Sequence, residues 1–339
     1  MLKNDQVRRK DHETIRKHVG FYDFTHEVLE VGGKDATKFL DYIFLNSIHN
    51  TKLDGAKYTT MLNEDGIIID DVIVFRLEED LYWVSTLFIK EMKEWFEKYK
   101  EGFDFQYKDI TEEISMWAVQ GPDSRKLLNK ILEENIDDMK FFDFKENKVD
   151  NIPVRISRSG FTGELGYEIY ANPRCEDILR KELLEKGKEF NVKEMETDVI
   201  LTSIPAEKGY VIMSDLEGLN PYEAGFAWSI RWNKDFIGKE ALEKVKDDNP
   251  KQRLLGYITD EDVDIEEKSI IKVDDKEVGK VTKSAYGYTV EKNIGYVVLD
   301  KEYANKDQEI EIVNGDDVVK AVVTDRVFYD KDDERRYGR

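Results

Sequence analysis

At about Lys251 the residue pattern changes character, and that change narrows the folds open to the chain. Beyond it the segments LLGYIT, IIKVDDKEVGKVTKSAY, NIGYVVL, QEIEIVN and DVVKAVVT follow one another. They are short and alternating, with turns every ~8–12 residues, the spacing of an antiparallel sandwich or barrel. Upstream, strands alternate with helices. The last domain boundary therefore falls near residues 220–250, and the rest reads as α+β with antiparallel hairpins.

The upstream elements follow from periodicity. The stretch to about His18 reads as a polar helix. HEVLEVGG (26–33) is a strand with Val28 and Val31, and DATKFLDYIFLNSI (35–48) carries Phe39, Leu40, Ile43 and Phe44 at helical spacing. KYTTMLNEDGIIIDDVIVFRLEEDLYWVST (57–86) reads as three strands, the first two joined by a tight Asn-Glu-Asp-Gly turn. IKEMKEWFEKYKEG (89–102) is a helix closed by Gly102. MWAVQGP (116–122) is strand and turn, and DSRKLLNKILEE (123–134) a helix. VRISRSGFTGELGYEIYA (154–171) is two strands around a Gly-rich turn, and CEDILRKELLEKGKEF (175–190) is helical.

Composition excludes several function classes. The 339 residues suffice for two or three domains. Asp+Glu number 73 against Lys+Arg 52, a formal charge of -21 that repels phosphate backbones and anionic membranes, so neither nucleic acid nor membrane is an expected partner. The single cysteine, Cys175, excludes an internal disulfide and a multi-cysteine metal site. His12, His18, His26 and His49 lack metal-ligand spacing, and His26 reads as a residue that orients the chain. The charged N-terminus has no apolar signal core, and no apolar run approaches the ~20 residues of a spanning helix. The cytoplasm is the expected setting.

Two segments could carry chemistry. In IIIDDVIVF (67–75) two carboxylates interrupt an apolar strand. Alternation puts Asp71 on one face with Ile69 and Ile73, and Asp70 on the other with Ile68 and Val72. A carboxylate buried there needs donors or a cation. It is either a cap for a neighbouring loop or a catalytic or ligand-binding group. In SRSGFTGELGYEIY (157–170), three glycines permit close backbone approach, Phe161 precedes the strand, and Glu168 sits within it. A carboxylate so placed can accept two parallel N–H bonds from a 2-amino-4-oxo heterocycle; the alternative is a tight hairpin with a surface glutamate. The basic ERRYGR (334–339) is either a solvated tail or a source of guanidinium for a carboxylate ligand.

Five segments, in order, resemble the glycine-cleavage T-protein (aminomethyltransferase) family: VGFYDFTHEVLEVGG (19–33), KYTTMLNEDGIIIDDVIVF (57–75), WAVQGPDSRKLL (117–128), SRSGFTGELGYEIY (157–170) and GLNPYEAGFAWSIRWNKDFIGKEAL (218–242). The resemblance implies a three-domain cloverleaf, with residues 1–30 plus 112–220, 31–111 and 221–339 as the domains and a C-terminal all-β barrel or jelly-roll-like unit. It also implies a central tetrahydrofolate channel and transfer of an aminomethyl or methyl carbon to that folate. Asp71 then corresponds to the catalytic aspartate at the folate nitrogens. Tyr58, Phe161 and Glu168 correspond to folate-binding positions, and Arg335 or Arg336 to a C-terminal arginine meeting the catalytic region. Phe75 and Ser85, also expected at the folate by the same correspondence, stand where the family has a tyrosine and an asparagine.

The segment TDVILTSIPAEKGYV (197–211) lacks both arginines that the family carries on its donor side. This points toward a small methylated donor with N-, S- or O-methyl chemistry, whereas the overall pattern points to the aminomethyl-lipoyl arm of a carrier protein. A non-catalytic folate-binding protein is the rival from another class, although Glu-Lys-Gly-Tyr (207–210) lacks the cysteine of that group's Lys-Gly-Cys segment.

Overall fold

The computed structural model describes residues 2–338. The opening helix, Gln6–Lys17, starts where the Asp5 carboxylate accepts the amides of Val7 and Arg8, both at 3.0 Å. These are donors that a first helical turn leaves without partners.

The chain then lays Gly20–Asp23 into a first sheet, leaves to build a second, and returns with Ser115–Gln120. The first sheet runs Lys193–Glu194, Gly20–Asp23, Ser115–Gln120, Gly166–Ala171, Ile152–Ser157, Phe144–Val149. Its first pair is parallel and the rest antiparallel. The second sheet runs Gly55–Leu62, Ile68–Glu78, Leu81–Thr86, Glu27–Gly32, Gln106–Asp109, antiparallel throughout. Its first turn is fixed by Asn63, whose Oδ1 accepts the amides of Asp65 at 3.0 Å and Ile67 at 2.9 Å, and by Gly66 at φ +76°, which a Cβ would strain.

Alternation along the strands decides which faces bury where. Phe21, Val119, Tyr167 and Ile169 pack under helices Ser124–Ile131 and Glu176–Lys186. Leu29, Val31, Val72 and Val74 pack under helices Ala36–Ile43 and Ile89–Tyr99. The opposite faces meet: Tyr22, Met116, Ala118 and Tyr170 of the first sheet form one cluster with Val28, Ala56, Phe75 and Trp83 of the second. The result is a helix–sheet–sheet–helix sandwich. The helix expected over 35–48 ends at Ile43, because Phe44 turns extended and bridges to Met61 while Asp41 accepts the Ile48 amide at 2.5 Å.

The C-terminal unit is a closed six-stranded antiparallel barrel, in the order Gln252–Thr259, Lys292–Asp300, Lys276–Gly287, Ile270–Val273, Glu309–Asn314, Asp317–Thr324. Tyr257, Val281, Val297, Ile312 and Val323 help to fill it. Closure leaves no free sheet edge. Among the described residues no helix is long and apolar enough to cross a membrane.

Candidate active site between the two sheets

The strand Ile68–Glu78 carries one extra residue. Its ladder pairs Asp70 with Met61 and Ile68 with Leu62, leaving Ile69 as a bulge. Upstream of the bulge the alternation inverts. Ile68 joins Leu45, Leu62 and Phe226, while Ile69 packs toward the helices with Val72 and Val74. The expected pairing of Asp71 with Ile69 and of Asp70 with Ile68 on common faces is therefore reversed by the bulge; the downstream partners, Ile73 and Val72, follow plain alternation.

The two aspartates part company. Asp70 is buried, accepts Thr86 Oγ1 at 2.7 Å and leaves Oδ1 without a partner among the described residues. Burial pushes its carboxyl up to about 7. Such a group favours folding while protonated, so its contribution is complete below about pH 4 and is lost as pH rises through about 7. Asp70→Asn should flatten wild-type stability between those limits, by an amount on the order of a few kcal/mol. Chemical denaturation at pH 5 and pH 8 measures it; equal pH slopes in both proteins would rule the account out.

Asp71 projects from the other face, into the space between the sheets. Its Oδ2 accepts the Tyr58 hydroxyl at 3.0 Å, and its side chain keeps partial exposure. Burial raises its carboxyl to about 6, against the hydrogen bond from Tyr58 and with help from the Asp215 charge. It can therefore hold or release a proton near neutrality.

The facing sheet presents a row across four strands: Tyr22, Ala118, Glu168 and Ser157. Glu168 is buried, and its Oε2 accepts Ser159 Oγ at 2.7 Å and Tyr170 Oη at 2.9 Å. Burial pushes its carboxyl up, and these two donors oppose that. Tyr22 Oη lies in the field of Glu168 and has no partner among the described residues. Phe161 is half-buried, with its ring 6.4 Å from Phe24 and nearly parallel to it, and 5.6 Å from Tyr210. Ser85, beside Ile73 in the ladder, meets His26 Nδ1 at 3.1 Å. His26 Nε2 is buried without a partner among the described residues, and burial lowers that ring to about 4, so it is neutral at pH 7.

Phe75 is fully buried against Phe144, at 4.4 Å, and Tyr170, at 5.3 Å. It supports the tyrosine that holds Glu168. The two C-terminal arginines diverge. Arg335 Nε donates to Glu164 at 2.9 Å and its Nη2 to the Arg16 carbonyl at 2.6 Å, which ties the tail to the opening helix. Arg336 lies over Phe141 and reaches Tyr210 Oη at 3.4 Å, on the Phe161 side.

Sequence reasoning missed Tyr22, Phe24, Tyr210, Asp215 and Arg326. Arg326 sits over the Phe226 ring at 5.9 Å, donates to the Ala224 carbonyl at 2.8 Å, and shares the electrostatic environment of Tyr58 and Asp215. Asp215 is buried and pairs with Lys283 at 3.3 Å. No local pattern marks these residues: Tyr22 and Phe24 come with the first sheet, whereas the barrel supplies Lys283 to Asp215 and, just past its last strand, Arg326. Where the donor-side arginines are missing, Lys208 is buried and engaged by Asp330 at 3.1 Å and Asp333 at 2.8 Å. Its charge is spent inside the protein.

The GCVT N-terminal domain family model matches residues 3–234, and that of the glycine cleavage T-protein C-terminal barrel domain matches residues 252–330. The aminomethyltransferase of Thermoanaerobacter pseudethanolicus is 31% identical over 328 residues, covering 95% of this chain and 89% of the relative. That of Bacillus mycoides is 32% identical over 338 residues with the same coverage, 95% and 89%. The crystal structure of glycine cleavage system aminomethyltransferase T from Bartonella henselae superposes with a TM-score of 0.88 at 23% identity, covering 97% of this chain and 90% of that one, a likeness of fold.

Proposed function

With the chain a member of the glycine cleavage T-protein (aminomethyltransferase) family, we infer that it is a folate-dependent transferase that moves an aminomethyl-level carbon to tetrahydrofolate. The observation that carries the site reading is the opposition of two perturbed carboxylates, Asp71 and Glu168, across one intersheet space.

The residues fit the folate. Glu168 offers acceptors to an amino-oxo heterocycle, Tyr22 Oη and His26 Nε2 are buried polar atoms in want of a partner, and Phe24 and Phe161 offer flat apolar faces. When bound, tetrahydrofolate supplies the amine nitrogens that accept the carbon. Asp71, ionised above about pH 6 and oriented by Tyr58, stabilises positive charge that develops beside it and can take up a proton. The sandwich fixes the distance between the reacting groups, so orientation supplies much of the rate. In the proposed division into 1–30 with 112–220, 31–111 and 221–339, Glu168 and Asp71 belong to different domains and the slot is their interface.

The donor we propose is the aminomethyl-lipoyl arm of a carrier protein, a reading supported by aminomethyltransferase relatives that span 95% of the chain. The arginine-free segment 197–211 keeps a small methylated donor as the second reading. A turnover screen over an aminomethyl-lipoyl carrier, methylated amines and sulfonium compounds separates them. For the pterin end, Glu168→Gln turns an amide N–H₂ toward the heterocycle's own donors. Tetrahydrofolate binding should weaken by roughly 1.5–3 kcal/mol, about ten- to hundredfold, by calorimetry. Unchanged affinity would remove Glu168 from the binding site.

A further inference from the structure

Three aromatic rings lead from Asp71 to the surface. Tyr58, which donates to Asp71, has its ring 5.9 Å from Phe226, and Phe226 lies 6.4 Å from Trp228. Trp228 is 58% exposed, far more than a tryptophan held for packing needs. The short helical turn Ala227–Ser229 presents it, with Gly225 and Ala227 also exposed.

Two cations belong to the same region. Lys57 precedes Tyr58 on the edge strand, and Arg231 follows the turn by two residues. They lie close enough for Arg231 to depress the Lys57 ammonium, after burial, which contributes most. The groups facing them are few. Lys57 donates to the Ser47 carbonyl at 2.8 Å, and Arg231 donates to its own turn, at the Trp228 carbonyl at 2.8 Å and the Ile230 carbonyl at 3.3 Å. Asp41 attracts Lys57 from a distance, but its oxygens are taken by the Ile48 and His49 amides and the His49 ring. Among the described residues neither cation has a carboxylate within ion-pair distance. In a chain with 73 acidic residues against 52 basic ones, two adjacent cations left so are conspicuous.

We propose that Trp228, Arg231 and Lys57 form the docking surface for an acidic face of the carrier protein that delivers the donor arm to Asp71. The assignment rests on the carrier reading above. Exposed tryptophan beside arginine is the composition of interface hot spots, and unpaired positive charge steers an acidic partner. The ring series places this surface on the side of the molecule nearest the Tyr58–Asp71 pair. A small anion held by the same cations, such as the carboxylates of a folate tail, is the competing occupant, and the test separates it.

The experiment compares the wild-type chain with Trp228→Ala and with the double variant Lys57→Glu/Arg231→Glu. Each is assayed with an aminomethylated lipoyl carrier protein and with the free aminomethyl-dihydrolipoamide arm, and thermal melts confirm folding. Both variants should raise KM for the carrier tenfold or more. Saturated kcat, KM for tetrahydrofolate and the rate with the free arm should stay within about twofold, an allowance well inside the tenfold that 1.4 kcal/mol represents. The double variant should also flatten the fall of carrier kcat/KM with added salt. Unchanged carrier KM, or a rise in KM for tetrahydrofolate instead, would overturn the assignment while leaving the carrier reading intact. A wild-type protein inert with the carrier but active with a small donor would remove the carrier reading and the surface with it.

Discussion

Asp71→Asn should lower turnover by about 10²–10⁴-fold, the range typical of a positioned proton-transfer group. Tetrahydrofolate affinity should stay within about tenfold, or 1.4 kcal/mol. The asparagine keeps the size of the side chain and can still accept from Tyr58, so the slot keeps its shape; what it loses is the negative charge and the proton site. The wild-type carboxyl, raised to about 6 by burial, must be ionised to stabilise cationic character beside it. Its kcat should therefore rise with pH through about 6 and level above, falling tenfold per unit on the acid side, whereas the residual rate of the variant should show no such limb. Single-turnover kinetics from pH 5 to 8, with calorimetry at pH 7.5, measures both quantities. Full activity in Asp71→Asn, or the same acid limb in the variant, would place the chemistry on another residue.

The second large effect is on stability. Arg16 is buried in the opening helix and ties it to three other segments of the chain. Its guanidinium donates to the Thr162 carbonyl at 2.8 Å and the Ile204 carbonyl at 3.1 Å, and pairs with Glu164 at 3.2 Å and Glu207 at 2.9 Å. It also lies 4.4 Å from the centre of the Tyr329 ring. Burial would raise the Glu207 carboxyl, but hydrogen bonds and charge from His12 and Arg16 hold it down at about 2. Arg16→Leu leaves two carboxylates buried without this cation, which should cost about 3–5 kcal/mol. Denaturant unfolding at pH 7 should show the loss, and adding Glu164→Leu and Glu207→Leu should recover part of it, because the uncompensated charge is then gone. A single Arg16→Leu within about 0.5 kcal/mol of wild type, a change ordinary for surface substitutions, would show that the network carries little.

Much of the architecture was legible along the chain because period is a local property. The change at Lys251 marked the barrel, whose first strand is Gln252–Thr259. The Asn-Glu-Asp-Gly turn fixed the hairpin that carries Asp70 and Asp71. Other features were illegible for physical reasons. The bulge at Ile69 comes from pairing with Met61 and Leu62, so it exists only in the ladder. The opening helix reads as polar, yet Asp11, His12 and Arg16 are buried, because their partners arrive from up to about 320 positions away, as Arg335 does at the Arg16 carbonyl. Arg335 and Arg336 look equivalent in ERRYGR and separate only when one meets Glu164 and the other Tyr210.

By itself the sequence determined many of the strands and helices, and it put two carboxylates next to each other in an apolar strand. Side-chain alternation and turn chemistry need only neighbouring residues, and these suffice for such features. The tertiary structure alone decided that Asp70 is a core residue bonded to Thr86 whereas Asp71 looks across at the sheet bearing Glu168. Burial, dielectric and the position of opposing charge are set by surfaces that meet only after folding, and these give two neighbouring carboxylates different surroundings.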